Sequence, residues 1–301
     1  MLCLRTLKSQ VPTSRCFSTS SPSFFLGKLN KHLQATTPKE HVVITLTKPI
    51  GVREEPKDTD NSPKDPRSIK EKYKDFLDPE KNKKRQEELE KEMSRSGMYD
   101  LYVYRKTKGK LFLSPQSYWK AEKSLYFPNF VGEDLTSSKL KGTTSLLKGK
   151  VSVIRAYTAD LGEKASKGYF KVLDNDYLTT EGYDKFLETN PNSQIVDLNI
   201  TENGLKAIFV KASKSGLRKV VHESRHDKYL IVPKKGLNID VRESIHLLNN
   251  YTCFIYVVDH QGRIRWATCG EPTEADRNML WRTVRGLERE YKALNPTEKP
   301  E

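Results

Sequence analysis

The segment Cys253–Gly270, CFIYVVDHQGRIRWATCG, constrains the fold of this chain more than any other. Two apolar runs flank the turn Asp259-His260-Gln261-Gly262, which predicts a hairpin of strands 252–258 and 263–268. A helix follows, opened by Thr273 with Asp276 at the capping-box position, and carries Leu280, Val284, Leu287 and Tyr291 on one face. Upstream, Val151–Tyr157 and Gln194–Ile200 are short apolar runs suited to central strands, with a largely helical stretch between them. A β…α…β unit followed by a hairpin and a terminal helix predicts an α/β fold: one central mixed sheet flanked by helices.

Composition bounds the function. The 301 residues suffice for one domain plus extensions. With 31% charged residues, a mean hydropathy of −0.71 and apolar runs no longer than stretches such as Phe254–Val258, a membrane-embedded class is excluded. A formal charge of +14 implies an anionic partner, whether lipid surface, acidic protein or nucleic acid.

From Met1 to Lys39 there is no Asp or Glu, while Arg5, Lys8, Arg15, Lys28, Lys31 and Lys39 stand among many Ser and Thr. That is the composition of a mitochondrial transit peptide, and Arg15-Cys16-Phe17-Ser18 predicts cleavage after Phe17. Only Arg5, Lys8 and Arg15 leave with residues 1–17, so the body stays basic. Residues 18–97 read as a disordered arm ending in a charged helix, residues 98–292 as the folded domain, and 293–301 as a flexible tail. In the arm only His41–Leu46 has strand character; a solvated helix is expected from Asp78-Pro79 to Gly97, with Leu89 and Met93 nearly its only apolar side chains. Tyr99–Leu113 alternates around Lys108-Gly109 and predicts a basic hairpin. Between Arg105 and Lys150 ten basic residues face three acids, and Tyr118, Trp119, Tyr126 and Phe127 are interleaved with them. Asn203 is expected to cap a helix whose Leu205, Ile208, Phe209 and Ala212 pack on the sheet, while Lys211, Lys214 and Arg218 face an anionic, membrane-like surface.

Catalytic motifs do not hold up. His222–His226, HESRH, matches the spacing of a zinc-protease helix, but Arg225 and Asp227 crowd the site with charge, and only His246 or Glu243 offers a third ligand. Six residues rather than four separate Gly142 from Gly149-Lys150, and Val151 stands where a magnesium-binding Ser or Thr belongs. No cofactor and no metal are expected. Removal of the leader takes Cys3 and Cys16, leaving Cys253 and Cys269; no CxxC exists. Buried free thiols and a regulatory disulfide are both open for this pair, the former being the commoner outcome for cysteines on strands.

SLYFPNFVG at Ser124–Gly132, leading into KGKVSVIRAYTA at Lys148–Ala159, resembles one end of a thioredoxin-like domain, and Cys253–Gly270 resembles the other. In redox-active members the strand matching Val151–Tyr157 delivers a reactive cysteine; here Thr158, Ala159 and Asp160 occupy that place. The cis-proline expected before the hairpin is also missing, replaced by Asn249, Asn250, Tyr251 and Thr252. Gly109–Leu135 (GKLFLSPQSYWKAEKSLYFPNFVGEDL) and Tyr256–Asp276 (YVVDHQGRIRWATCGEPTEAD) together resemble the fungal mitochondrial ATP synthase assembly factors, a thioredoxin-like family, over residues 98–291.

That resemblance implies a non-catalytic chaperone, peripheral on the matrix side of the inner membrane, which joins newly made ATP synthase subunit a to the ring of subunit c. An apolar groove near Trp266, with Arg263 and Arg265, is the expected client site, and Lys211, Lys214 and Arg218 the expected lipid-facing surface. The alternatives are a thioredoxin-like thiol oxidoreductase or peroxidase, which needs a reactive Cys253 or Cys269, and a mitochondrial RNA- or ribosome-binding protein, for which no RNA-module motif is present. No nucleic acid partner is expected.

Overall fold

The computed structural model describes residues 41–295 other than 64–66, 94–96, 138 and 203. The expected leader lies outside the described residues, as does Asn203.

An eight-stranded mixed sheet organises the body. Its strands are β1 (Leu125–Tyr126), β2 (Val131–Glu133), β3 (Leu140–Gly142), β4 (Val151–Tyr157), β5 (Ser193–Thr201), β6 (Tyr229–Pro233), β7 (Cys253–Val258) and β8 (Arg263–Cys269), in the spatial order β1-β8-β7-β4-β5-β6-β2-β3. Every residue of β4, β5 and β7 is buried, as befits strands covered on both faces. β4 and β5 are parallel, Val151 opposite Ser193; β7 runs antiparallel to β4, and β8 antiparallel to β7. This is the arrangement a thioredoxin-like sheet requires, extended here by β1 at one edge and by β6, β2 and β3 at the other.

The helices are α1 (Ile69–Leu77), α2 (Pro79–Met93), α3 (Gly97–Thr107), α4 (Thr143–Leu147), α5 (Asp160–Lys167), α6 (Thr180–Thr189), α7 (Gly204–Ala212), α8 (Lys214–Val220), α9 (Ile239–Ser244) and α10 (Glu274–Leu294). Side chains alternate across the sheet and build two cores. Ile154, Ala156, Val196, Leu198, Phe254 and Tyr256 serve one; Val153, Tyr157, Ile195, Ile255 and Val257 serve the other, closed by Leu280, Trp281, Val284 and Leu287 of α10. The expected capping box is present: Thr273 Oγ1 accepts from Asp276 N while Asp276 caps Thr273 N. In the hairpin turn Asp259 Oδ1 accepts from Gln261 N and Arg263 N, and Gly262 takes φ 84°.

Three expectations need correction. Tyr99–Leu113 is no hairpin: α3 occupies most of it, and Lys108 (φ 52°) with Gly109 (φ 75°) is a left-handed helix stop. A Cβ on Gly109 would lie 2.4 Å from Thr252 Oγ1, so the close approach also demands glycine.

The arm is ordered from residue 41 to 63 and belongs to the body. Ile44–Thr45 pairs in parallel with Phe112–Leu113, Leu46 and Ile50 enter the core, and Val52 bridges Tyr126. Asn129 Nδ2 donates to the carbonyls of Asp58 and Asp60. These pairings span some seventy residues, beyond the reach of any local pattern.

The charged helix expected from Asp78-Pro79 is present as α2, but a second helix, α1, precedes it where none was expected. Ser68 and Glu71 form a capping box that starts α1, and Asp78 caps α2, Glu80 N donating to its Oδ1 at 3.0 Å.

Candidate functional site

The carboxyl end of β4 is where a redox-active relative would carry its thiol. Thr158 is buried there, and Ala159 precedes α5 with its N–H donated to Asn250 O at 3.0 Å. The loop 249–252 fills the corner: Asn250 N donates to Asp100 Oδ2, Asn249 Nδ2 to Asp100 O, and Thr252 Oγ1 to Gly109 O at 2.8 Å. Gly162 backs onto this loop so closely that a Cβ would meet Thr252 O at 2.5 Å. The helix stop after α3 and the start of α5 thus meet through Thr252 beside the carboxyl end of β4, where Asp160 stays exposed.

Both described cysteines are buried free thiols. Cys253 Sγ donates to Gly270 O at 3.3 Å, and Cys269 Sγ accepts from Leu111 N at 3.2 Å. Burial pushes the Cys253 thiol up to about 12 and the Cys269 thiol up to about 11. A thiolate is the reactive species, so neither side chain is prepared for exchange.

Beneath the corner lies a charge cluster that the sequence did not announce. Arg155 Nε donates to Asp197 Oδ1 at 2.6 Å, and Arg225 Nη2 binds the other oxygen. All three are buried; Arg155 lies over the ring of Tyr157, and Arg225 over that of Tyr183. Burial pushes the Asp197 carboxyl up, but two guanidinium groups outweigh it and hold it below the usual carboxylate range. Arg225 comes from the HESRH motif, which forms a 3-10 turn (Glu223–Lys228) instead of an α-helix. His222 turns to Ser224 and Asp184, His226 to the carbonyls of Val221 and Arg218, and the residue that matters points inward between them. Among the described residues no three His, Cys, Asp or Glu side chains gather as a metal site.

The expected client groove is internal. Trp266 is fully buried, its Nε1 donating to Pro115 O at 2.9 Å. Arg265 is buried between Asp259 and Glu290, with Nε on Trp119 O at 2.6 Å. Arg263 holds Ala121 O and the Tyr126 hydroxyl. These three fasten the 115–126 segment to β8; the sequence showed their chemistry but not this strand of chain lying over them. Part of the basic stretch is likewise compensated: Lys110 binds Asp276 and Lys148 binds Glu55, both outside it, and Lys141 binds Asp134 within it.

The helical face expected against the sheet is turned outward. Val210, Leu217 and Val221 pack on Leu135, Tyr229 and Ile231, whereas Ile208 and Phe209 are 63% and 72% exposed and Val220 is 71% exposed. Lys211 and Lys214, expected to face anions, both reach Glu133, at 2.6 and 3.2 Å. Arg218 remains exposed, as does Lys219. The reason lies in β2, the strand next to the sheet edge: its Glu133 binds Lys211 of α7 and Lys214 of α8, and a carboxylate there draws the lysine side of α7 inward. The outcome is an apolar ridge of Ile208 and Phe209 on α7, with Val220 exposed on α8 next in sequence to Arg218 and Lys219.

Comparison with known proteins places this geometry in context. The chain matches the model of the family described as ATP10 protein over residues 30–287. It is 38% identical over 276 residues to "Mitochondrial ATPase complex subunit ATP10" of Candida glabrata, covering 92% of this chain and 96% of that one. The protein of the same name in Saccharomyces cerevisiae is 36% identical over 269 residues, covering 87% and 94%. Among solved structures, a secreted thiol-disulfide isomerase from Corynebacterium glutamicum aligns with a TM-score of 0.38 at 9% identity, over 58% of this chain and 92% of that one. Plasmodium yoelii thioredoxin peroxidase I aligns with a TM-score of 0.35 at 12% identity, over 59% and 95%.

Proposed function

The chain belongs to the ATP10 protein family, and from that premise we propose that it is a mitochondrial assembly factor of the ATPase complex that works by holding a client, not by turning over a substrate. The client in this proposal is newly made subunit a, delivered to the subunit c ring by a protein peripheral on the matrix side of the inner membrane after a leader is removed. The observation that carries it is the pairing of a corner that holds Thr158, Ala159 and Asp160 in place of a cysteine with an exposed apolar ridge. Cys253 and Cys269 are buried with raised thiol values, which disfavours the oxidoreductase reading. Ile208, Phe209 and Val220 offer the surface that a transiently unpartnered membrane segment needs covered, and exposed apolar clusters of this kind mark interaction sites. Arg218 and Lys219, next to Val220 in sequence, suit a client or membrane of negative potential.

Site-specific photocrosslinking from Phe209, in mitochondria synthesising subunit a, tests this. An adduct with subunit a is expected; a full-strength adduct from the opposite surface and none from Phe209 would remove the ridge from the proposal, and no adduct anywhere would remove the client.

A further inference from the structure

A second exposed apolar surface lies on α1. Ile69, Tyr73, Phe76 and Leu77 follow at spacings of four, three and one, so they share one helical face. All four are exposed, Ile69 by 86%, and no residue of α1 is buried. A nine-residue helix whose apolar side stays exposed among the described residues is a poor solvated spacer.

The charges are arranged around that stripe. At helical spacing, Lys70 and Lys72 border it on its two flanks, whereas Glu71 and Asp75 lie on the opposite face. Both carboxylates are occupied there: Glu71 closes the capping box with Ser68, and Asp75 binds Arg67 and Lys81. Arg85 of α2 adds another cation, its guanidinium 5.6 Å from the centre of the Phe76 ring. Apolar centre, lysine flanks and acids on the far side are what a helix lying in a negatively charged bilayer interface requires. The stripe sinks to the acyl boundary, the lysine stems run up to the phosphates, and the acids stay in water. An acidic protein surface would match the lysines but would leave Ile69 and Phe76 without an apolar seat.

We propose that α1 is the element through which this protein lies on an anionic lipid surface. The proposal rests on the peripheral membrane reading above and deepens it: contact passes to the exposed stripe of Ile69, Tyr73, Phe76 and Leu77, with Lys70 at its flank.

The test is co-sedimentation of the full chain with vesicles of phosphatidylcholine and phosphatidylglycerol in equal parts, beside vesicles of phosphatidylcholine alone. Wild type is expected to bind the anionic vesicles and to leave them progressively as salt screens the lysines. The double variant Ile69→Ser, Phe76→Ser should lose about tenfold or more in partitioning, and Lys70→Gln about fivefold at low salt. Lys164→Gln, remote in sequence and already paired with Asp160, should change nothing. Since α1 buries no side chain, the variants should keep the wild-type melting temperature, and this is measured alongside. If wild type binds no vesicle, the peripheral reading and the role of α1 fall together. If wild type binds and the double variant binds equally well, only the role of α1 falls. Equal binding to neutral vesicles overturns the anionic requirement. A double variant that keeps the vesicles but loses crosslinks to ATPase subunits reassigns the stripe to a protein partner.

Discussion

Cys253 and Cys269 stand one register step apart on neighbouring antiparallel strands, Phe254 being the partner of Cys269, and so look into opposite cores. A bond between them would have to pass through the sheet. Native protein is therefore expected to keep both thiols under oxidant and to react with an alkylating agent only after unfolding. A disulfide between them recovered from folded protein would overturn this placement.

The same thiols give a pH dependence. Their native values of about 12 and about 11 exceed the ordinary thiol value of ~8.5. The folded state thus holds its protons more tightly than the unfolded chain. Their contribution to stability is whole below about pH 8.5 and is lost as pH rises through the native values. Denaturant midpoints should fall across that alkaline range, and a Cys253→Ala, Cys269→Ala variant, though less stable throughout, should fall less steeply.

Replacing Asp197 with Asn leaves Arg155 and Arg225 facing each other in the interior without their shared carboxylate. A loss of about 3–5 kcal/mol is expected by urea denaturation. The depressed carboxyl of the native state predicts the acid side as well: its contribution is whole above about pH 3.9 and is lost as pH falls below that towards the native value.

Trp266 separates a structural role from a binding role. Trp266→Ala should cost about 3–5 kcal/mol, while Trp266→Phe, which keeps most of the ring volume but loses the bond to Pro115 O, should cost about 1–2 kcal/mol. Protein that remains folded should crosslink to its client as wild type does. A fully stable Trp266→Ala protein that fails to crosslink would mean the side chain meets a partner.

The ridge behaves in the opposite way. Ile208→Ser with Phe209→Ser removes exposed side chains, so stability should stay within about 0.5 kcal/mol. ATPase complex assembled in cells carrying the pair, measured on native gels, should fall sharply.

How far the sequence speaks depends on how local the cause is. β4, β5, the terminal hairpin and α10 were legible because runs of apolar residues, a turn and a capping box each declare themselves within a few positions. Tyr99–Leu113 misled for the converse reason: aromatic alternation favours a strand, but tertiary cover from Asn249 and Asn250 on Asp100 selected the helix, with Lys108-Gly109 as its stop. The exposed apolar stripe of α1 sits in a dense field of charges and is visible only once the helix is known to begin at Ser68. At the site, the sequence revealed the missing thiol but not the packing beside it, since Gly109, Gly162 and Thr252 meet only in three dimensions. Arg263, Arg265 and Trp266 failed as a surface because a segment more than a hundred residues away covers them.

The parallel pairing of Ile44–Thr45 with Phe112–Leu113 has a topological consequence. Residues 41–63 are fixed to the sheet before α1 and α2, and α3 is fixed to it after them, while Glu92 of α2 holds Arg242. The two helices thus form a handle attached at both feet. A protease that nicks the chain at Asp78-Pro79 would release neither half, and a membrane gripping the handle would set the tilt of the whole body as well as its distance.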